Sequence, residues 1–266
     1  MSPPVLDLRP PEREALPLLV SVPHCGTGIP LELEPRLDPE VLRDLPDTDW
    51  HLQRLYDFVP ALGGTLLTAR FSRYVIDLNR DPESRPLYPG RFETGLCPTE
   101  TFDRRPLYRE GQAPDAGEIA ERRARYWQPY HDRLAEELAA LKERFGFVCL
   151  FEAHSIKAEV PALFEGTLPE CVVGDAAGAA CAPERSEDFR EALVAAGRQV
   201  AHNQPFRGGY ITRHFGDPEG GVHALQLEMR TSNYLLEEAA PWPYDEGRAK
   251  ILRAHLGAAL TAFVSA

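Results

Sequence analysis

The stretch FVCLFEAHS, residues 147–155, limits the fold more than any other part of the chain. Its apolar run has the length and composition of a buried strand. That strand runs into Glu152, His154 and Ser155, and polar groups at a buried strand end are costly unless something binds them. Open α/β sheets collect their ligands at the carboxyl ends of strands, so a carboxylate, an imidazole and a hydroxyl there mark a site. A second run, PLLVSVPHCG, ends in the same way, with His24 just past Leu18 to Val22.

The remaining pattern fits a sheet built from strands and helices in succession. Asp115 to Arg144 carries an amphipathic stripe of Ile119, Arg123, Tyr126, Trp127, Tyr130, Leu134, Leu138 and Leu141, continuing to Phe145, with a kink expected at Pro129. Gly146 then leads into the strand at 147, a helix–strand order typical of α/β folds. Thr65 to Thr68, Tyr74 to Leu78, Cys171 to Val173 and Ala224 to Met229 also read as strands. Helices are expected from about Pro46, with Asp49 in the first turn and Leu52, Leu55, Tyr56 and Val59 on one face, and at about 186–202. A last helix, Asp245 to Phe263, offers Ile251, Leu252, Leu256, Leu260 and Phe263 to the core. Residues 1–16 read as a surface arm or short edge segment, and the Gly-rich 208–221 as a hairpin or loop. Residues 81–116 form a long proline- and glycine-rich excursion, read as a wall or lid of the site. It holds no fresh core pattern, so residues 1–266 are expected to form a single catalytic domain.

Net charge near −12 disfavours nucleic acid and anionic membrane as partners, although a local arginine cluster still suits a small anion. There is no run of 18 apolar residues and no basic-then-apolar N-terminus, so neither a membrane span nor a secretory signal is expected. Five cysteines at irregular spacing match no disulfide or zinc–cysteine framework, and a cytoplasmic setting with free thiols follows.

The chemistry-bearing residues point to a metal hydrolase. A lone strand-end histidine is ordinarily a hydrogen-bonding residue. Two of them, His24 and His154, with the carboxylate of Asp49, make the three-ligand set of a catalytic zinc site. Glu228 interrupts the apolar strand ALQLEM and is the candidate general base; a buried ion pair with Arg230, on the same face, is the competing explanation. Glu152 shares a strand face with His154 and is placed to orient its ring. Arg73, Arg80, Arg207, Arg213 and Arg230, with Asn79 as a neutral donor, form a candidate set for gripping substrate carboxylates. Other sites fit less well. No H-E-x-x-H or G-x-S-x-G is present, the glycines after His24 are too few for a phosphate loop, and Cys25 and Cys149 lack a positioning partner.

SVPHCGTGIP, PDTDWHLQRLYDF, SRYVIDLNRDP, FEAHSI, NQPFRGGYITRHFG and HALQLEMR together resemble the N-formylglutamate amidohydrolase (deformylase) family of histidine degradation, over about residues 18–240. DLNR also resembles the aspartoacylase and succinylglutamate desuccinylase enzymes. The resemblance implies a three-layer α/β/α fold with a central mixed sheet, like that of zinc exopeptidases. It also implies one divalent ion, zinc with Co, Ni, Mn or Fe as substitutes, held by His24 and His154. In the wider group the carboxylate ligand lies three residues after the first histidine, a position that is Thr27 here, so Asp49 takes its place with Asp47 as rival. The implied reaction is hydrolysis of N-formyl-L-glutamate, with Glu228 as base and Asn79 and Arg80 on a carboxylate. The alternatives are an amidohydrolase for another N-acyl acidic amino acid, a carboxypeptidase-like peptidase, or a metal-dependent binding module without chemistry. Either way the partner is a small dicarboxylate N-acyl amino acid, met by a monomer or homodimer.

Overall fold

The computed structural model describes residues 4–266. Its strands are β1 (Leu6–Arg9), β2 (Leu18–Val22), β3 (Thr65–Ala69), β4 (Val148–Ile156), β5 (Cys171–Gly174), β6 (Val200–His202) and β7 (Val222–Arg230). They form one mixed sheet in the order β1-β3-β2-β4-β7-β5-β6. The inner four, β3, β2, β4 and β7, are mutually parallel; β1 runs antiparallel to β3, β5 runs antiparallel to β7, and β6 is parallel to β5. The expected N-terminal arm yields the edge strand β1, its first three residues lying outside the described residues.

Alternation along the inner strands divides their side chains between two cores. Leu18, Val20, Val22, Cys149, Phe151, Ala153, Leu225, Leu227 and Met229 face one core. Leu19, Leu67, Val148, Leu150 and Ala224 face the other. Eight helices among the described residues cover the two faces: α1 (Pro39–Asp44), α2 (Leu52–Leu55), α3 (Val59–Leu62), α4 (Ala116–Arg122), α5 (Gln128–Phe145), α6 (Pro183–Ala195), α7 (Tyr210–Phe215) and α8 (Glu246–Ser265). Residues of α2, α3, α6 and α8 pack in the first core, and those of α1, α5 and α7 in the second. Glu152, His154, Gln226 and Glu228 have the parity of the second face, so the polar ends of β4 and β7 stand side by side there, with His154 paired in register with Glu228.

Several elements depart from the sequence reading. Tyr74 to Leu78 is a series of turns rather than a strand. Ser72 Oγ accepts the Tyr74 N–H and Asp77 Oδ1 accepts the Asn79 N–H, local bonds that replace a sheet ladder. The helix expected from Pro46 begins only at Leu52, because His51 is left-handed (φ 61°). Asp49 therefore sits in a turn, its N–H donating to the His24 carbonyl at 3.1 Å. The Gly-rich stretch contains α7 instead of a hairpin. The kink expected at Pro129 is taken up by a π-helical segment, Arg123–Trp127, joining α4 to α5. In α8 the phase is settled: Leu252, Leu256, Leu260 and Phe263 are buried, while Ile251 is 57% exposed.

Two predictions follow from burial. Leu252→Ala should cost about 2–5 kcal/mol of stability in denaturant unfolding, and Ile251→Ala within about 0.5 kcal/mol of none. His131, on α5, is stacked on Trp127 with ring centroids 3.6 Å apart and donates from Nε2 to the Leu78 carbonyl at 2.8 Å. Burial pushes its pKa down to about 3. In the unfolded chain an imidazole titrates near 6.5, so from about pH 6.5 downward the unfolded state alone binds the proton. This group therefore removes about 1.4 kcal/mol of stability per pH unit down to its folded pKa. Unfolding followed against pH should show a shallower acid limb for His131→Gln than for the parent.

Candidate metal centre

His24, Asp49 and His154 each offer one donor atom, and these atoms lie within 4.8 Å of one another in a buried cluster. The sequence brings them from three elements. His24 follows the Pro23 that ends β2, Asp49 lies in the turn tied to the His24 carbonyl, and His154 is on β4, which pairs with β2. The imidazole centroids are 4.9 Å apart. Asp49 Oδ2 is 3.1 Å from His154 Nδ1 and 3.9 Å from His24 Nδ1. Tetrahedral N and O donors around a zinc-sized ion stand roughly 3.3–3.6 Å apart, which these two distances bracket. Asp47 is not part of the cluster: its carboxylate accepts the Phe102 N–H at 2.9 Å.

The outward nitrogen of each ring is held by a carboxylate, which leaves Nδ1 turned inward. His24 Nε2 lies 2.8 Å from Asp77 Oδ1, and His154 Nε2 lies 2.8 Å from Glu152 Oε1. Arg73 donates to the second oxygen of Asp77 at 2.7 Å. Thr212, in α7, donates to the second oxygen of Glu152 through its hydroxyl at 2.5 Å and its backbone N–H at 3.2 Å. Asn79 Nδ2 stands 3.1 Å from His154 Nε2, and its carbonyl accepts the Ile211 N–H at 2.9 Å. Gly209 donates to Gln226 at 2.6 Å. The first turn of α7 is thus bonded to three side chains behind the cluster.

The buried carboxylates and imidazoles of the cluster shift one another's protonation. Burial lowers the His24 pKa, helped by the charge of Arg73 and opposed by Asp77 and Asp49. Burial also works against a charged His154, but Glu152 and the Asp49 hydrogen bond outweigh it and lift its pKa well above the ordinary imidazole value. Burial alone would raise the Asp77 carboxyl; the charges of Arg73, His24 and Arg80 hold it well below the usual range. Glu228 lines the same cavity, and among the described residues its carboxylate has no hydrogen-bond partner. Burial, with the charge of Asp49 adding and that of His154 opposing, pushes its pKa up to about 8. Arg230 is turned elsewhere, bonded to the Leu168 carbonyl and near Gln199, so it does not form the competing ion pair with Glu228.

The cavity, about 90 Å³, brings together His24, Asp49, His154, Glu228, Arg73, Asn79 and Arg80. Glu152 lies behind His154 with no exposure. Arg207 and Arg213 border a neighbouring groove instead, and Arg230 lines neither space. Sequence reasoning assigned no role to Asp77, Thr212 or Gln226. A carboxylate inside the apolar run YVIDL is the signal that marks Asp77, and Gln226 interrupts the same apolar strand as Glu228; Thr212 carries none, because α7 reaches the cluster only through the fold.

The parallel edge of a mixed α/β sheet thus brings a His–Asp–His cluster, a candidate metal-binding site, beside an unpaired carboxylate. The family model described as N-formylglutamate amidohydrolase matches residues 16–235. The chain belongs to that family. It is 48% identical over 245 residues to an N-formylglutamate deformylase of Pseudomonas aeruginosa, covering 91% of each chain. A second N-formylglutamate deformylase, from Pseudomonas putida, is 44% identical over 236 residues, covering 88% of this chain and 87% of that one. Among solved structures, an N-formylglutamate amidohydrolase from Ralstonia eutropha superposes with a TM-score of 0.82 at 30% identity over 98% of both chains.

The close approach at Gly209 gives a test of how α7 supports the cluster. A Cβ there would lie 2.2 Å from Asn79 Nδ2. Gly209→Ala should displace Asn79, cost roughly 1–3 kcal/mol in thermal unfolding, and lower kcat/KM at least about tenfold through the disturbed His154 environment.

Proposed function

We propose that the chain hydrolyses N-formyl-L-glutamate to formate and L-glutamate, using one divalent ion, zinc by preference, held by His24, Asp49 and His154. The observation that carries this reading is the unpartnered buried carboxylate of Glu228 in the same cavity as the three donors. The donor set suits the ion: two imidazoles and a carboxylate, each imidazole oriented by an outer carboxylate. What such an ion supplies when bound is Lewis-acid polarisation of an amide carbonyl and a lower pKa for water.

The chain's own groups supply the rest. Glu228 accepts the proton of the attacking water and delivers it to the departing amine nitrogen. Its pKa near 8 in the absence of a cation places it close to the range where a base both accepts and returns a proton, and added positive charge draws it toward the ionised form. Asp77 and Glu152 keep the rings of His24 and His154 in one orientation, and Arg73 holds Asp77. Arg80 takes a substrate carboxylate beside Asn79. Among the described residues its guanidinium bonds only to the Thr94 carbonyl and hydroxyl and the Asn79 carbonyl, and none of these is an anion. Arg207 and Arg213 serve the outer wall rather than the reacting atoms, and Arg230 ties β7 to the Leu168 carbonyl. We read the sheet as zinc exopeptidase-like, because the ligands arise at the ends of parallel strands, and the chain as one catalytic domain. No described helix is long and apolar enough to cross a membrane, and the five cysteines are free and buried, in keeping with the cytoplasm.

Glu228→Gln should lower kcat for formate release by about 10²- to 10⁴-fold without loss of bound metal. Full activity in that protein would remove the base assignment. Chelation should abolish formate release and zinc should restore it. Turnover of formylaspartate, acetylglutamate and succinylglutamate beside formylglutamate separates the deformylase from an amidohydrolase for another N-acyl acidic amino acid. A protein that binds metal and ligand but turns over none of them would be the binding module.

A further inference from the structure

N-Formylglutamate carries two carboxylates, and Arg80 accounts for one. Of the other sequence-derived arginines, Arg73 is neutralised by Asp77, and Arg213 and Arg230 bond to backbone carbonyls. One further guanidinium reaches the cavity. Arg91, on the 81–116 excursion, is exposed and lines the space that holds His24, Asp49, His154 and Glu228, and its guanidinium makes no hydrogen bond or ion pair among the described residues. It also borders the two outer grooves, which puts it at the mouth while the donor cluster forms the floor.

Its position is set by the loop that carries it. Tyr88, Pro89, Gly90 and Arg91 form a turn closed by the Arg91 N–H donating to the Tyr88 carbonyl at 3.0 Å. Proline at the second position and glycine at the third, with φ +84°, is the type II arrangement. Glu93 accepts the backbone N–H of Leu87 at 3.1 Å and that of Tyr88, tying the loop to itself. Two bonds fasten it to the segment before and within α7: the Arg207 N–H donates to the Tyr88 hydroxyl at 2.8 Å, and Arg213 donates to the Leu87 carbonyl at 2.9 Å. The Arg213 guanidinium stacks over the Tyr88 ring at 4.9 Å, and that of Arg91 lies 5.7 Å from the same ring. Arg207 and Arg213 thus anchor the turn, and Arg91 is the side chain it presents. In a chain of net charge −12, an anchored but unpaired guanidinium at a cavity mouth is a built anion contact.

We infer that Arg91 binds the γ-carboxylate of the substrate and so makes the site selective for dicarboxylate over monocarboxylate N-acyl amino acids. The assignment rests on the formylglutamate reading above. It requires the acyl end to lie over the donor cluster, one carboxylate at Arg80 and the side-chain carboxylate at the mouth. The same loop turns the excursion from a passive wall into the part of the molecule that reads side-chain charge.

The test compares N-formylglutamate with N-formylglutamine, which has nearly the same shape but no charge on its side chain. In Arg91→Gln, kcat/KM for formylglutamate should fall roughly 10- to 100-fold, mostly through KM, while that for formylglutamine stays within about threefold of the parent. Arg91→Lys should recover part of the loss, since it restores the charge without the planar fork. Inhibition by the product gives a second readout: L-glutamate should weaken as an inhibitor of Arg91→Gln, and L-glutamine should not. Equal losses on both substrates, or no loss on either, would overturn the assignment while leaving the deformylase reading intact. A parent protein that released formate from neither substrate would overturn both.

Discussion

One carboxylate, Asp49, stands between two buried imidazoles, and most of the structure around the site serves to keep it there. Its backbone N–H is bonded to the His24 carbonyl, its side chain faces both rings, and the Ser155 N–H reaches the same oxygen at 3.3 Å. Ser155 is in turn bonded to Tyr234, whose hydroxyl donates to the Trp50 carbonyl. The turn that carries Asp49 is therefore pinned from β2, β4 and the segment after β7. A carboxylate with this little exposure persists only if positive charge meets it.

That requirement extends beyond Asp49. Asp77, Glu152 and Glu228 are buried close by, and among the described residues Arg73 is the one buried fixed cation in a salt bridge with any of them. The raised pKa values of His154 and Glu228 have different origins: Glu152 and Asp49 lift the first against burial, and burial lifts the second. Binding a divalent ion between His24, Asp49 and His154 would relieve the excess in one step. The three donors and the carboxylates around them make one candidate cation site.

The arginines divide by partner. Arg73 is held by a carboxylate and works on the protein; Arg213 and Arg230 hold backbone carbonyls and work on loops. Arg80 and Arg91 border the cavity with charge left over. Among the described residues Arg213 and Arg230 also lack an anionic partner, but they do not line the cavity; Arg80 and Arg91 do.

Residue pattern alone determined the inner strands, most of the helices that cover them and the pairing of His24 with His154 as site candidates, because buried strands and their polar ends are written locally as apolar runs that stop at charged residues. It also marked Glu228, since a carboxylate in an apolar strand is conspicuous in one dimension. Tertiary structure decided what local pattern does not encode. The apolar, β-branched run of Tyr74 to Leu78 reads as a strand but folds as turns, because Ser72 and Asp77 bond its backbone. The Gly-rich stretch became a helix whose first turn is bonded to Asn79 and Glu152, partners 132 and 60 residues away. Which of Asp47 and Asp49 faces the imidazoles, and which arginines keep an unspent charge, depend on hydrogen bonds between distant segments. Those bonds leave no periodicity in the chain, and only the folded arrangement reveals them.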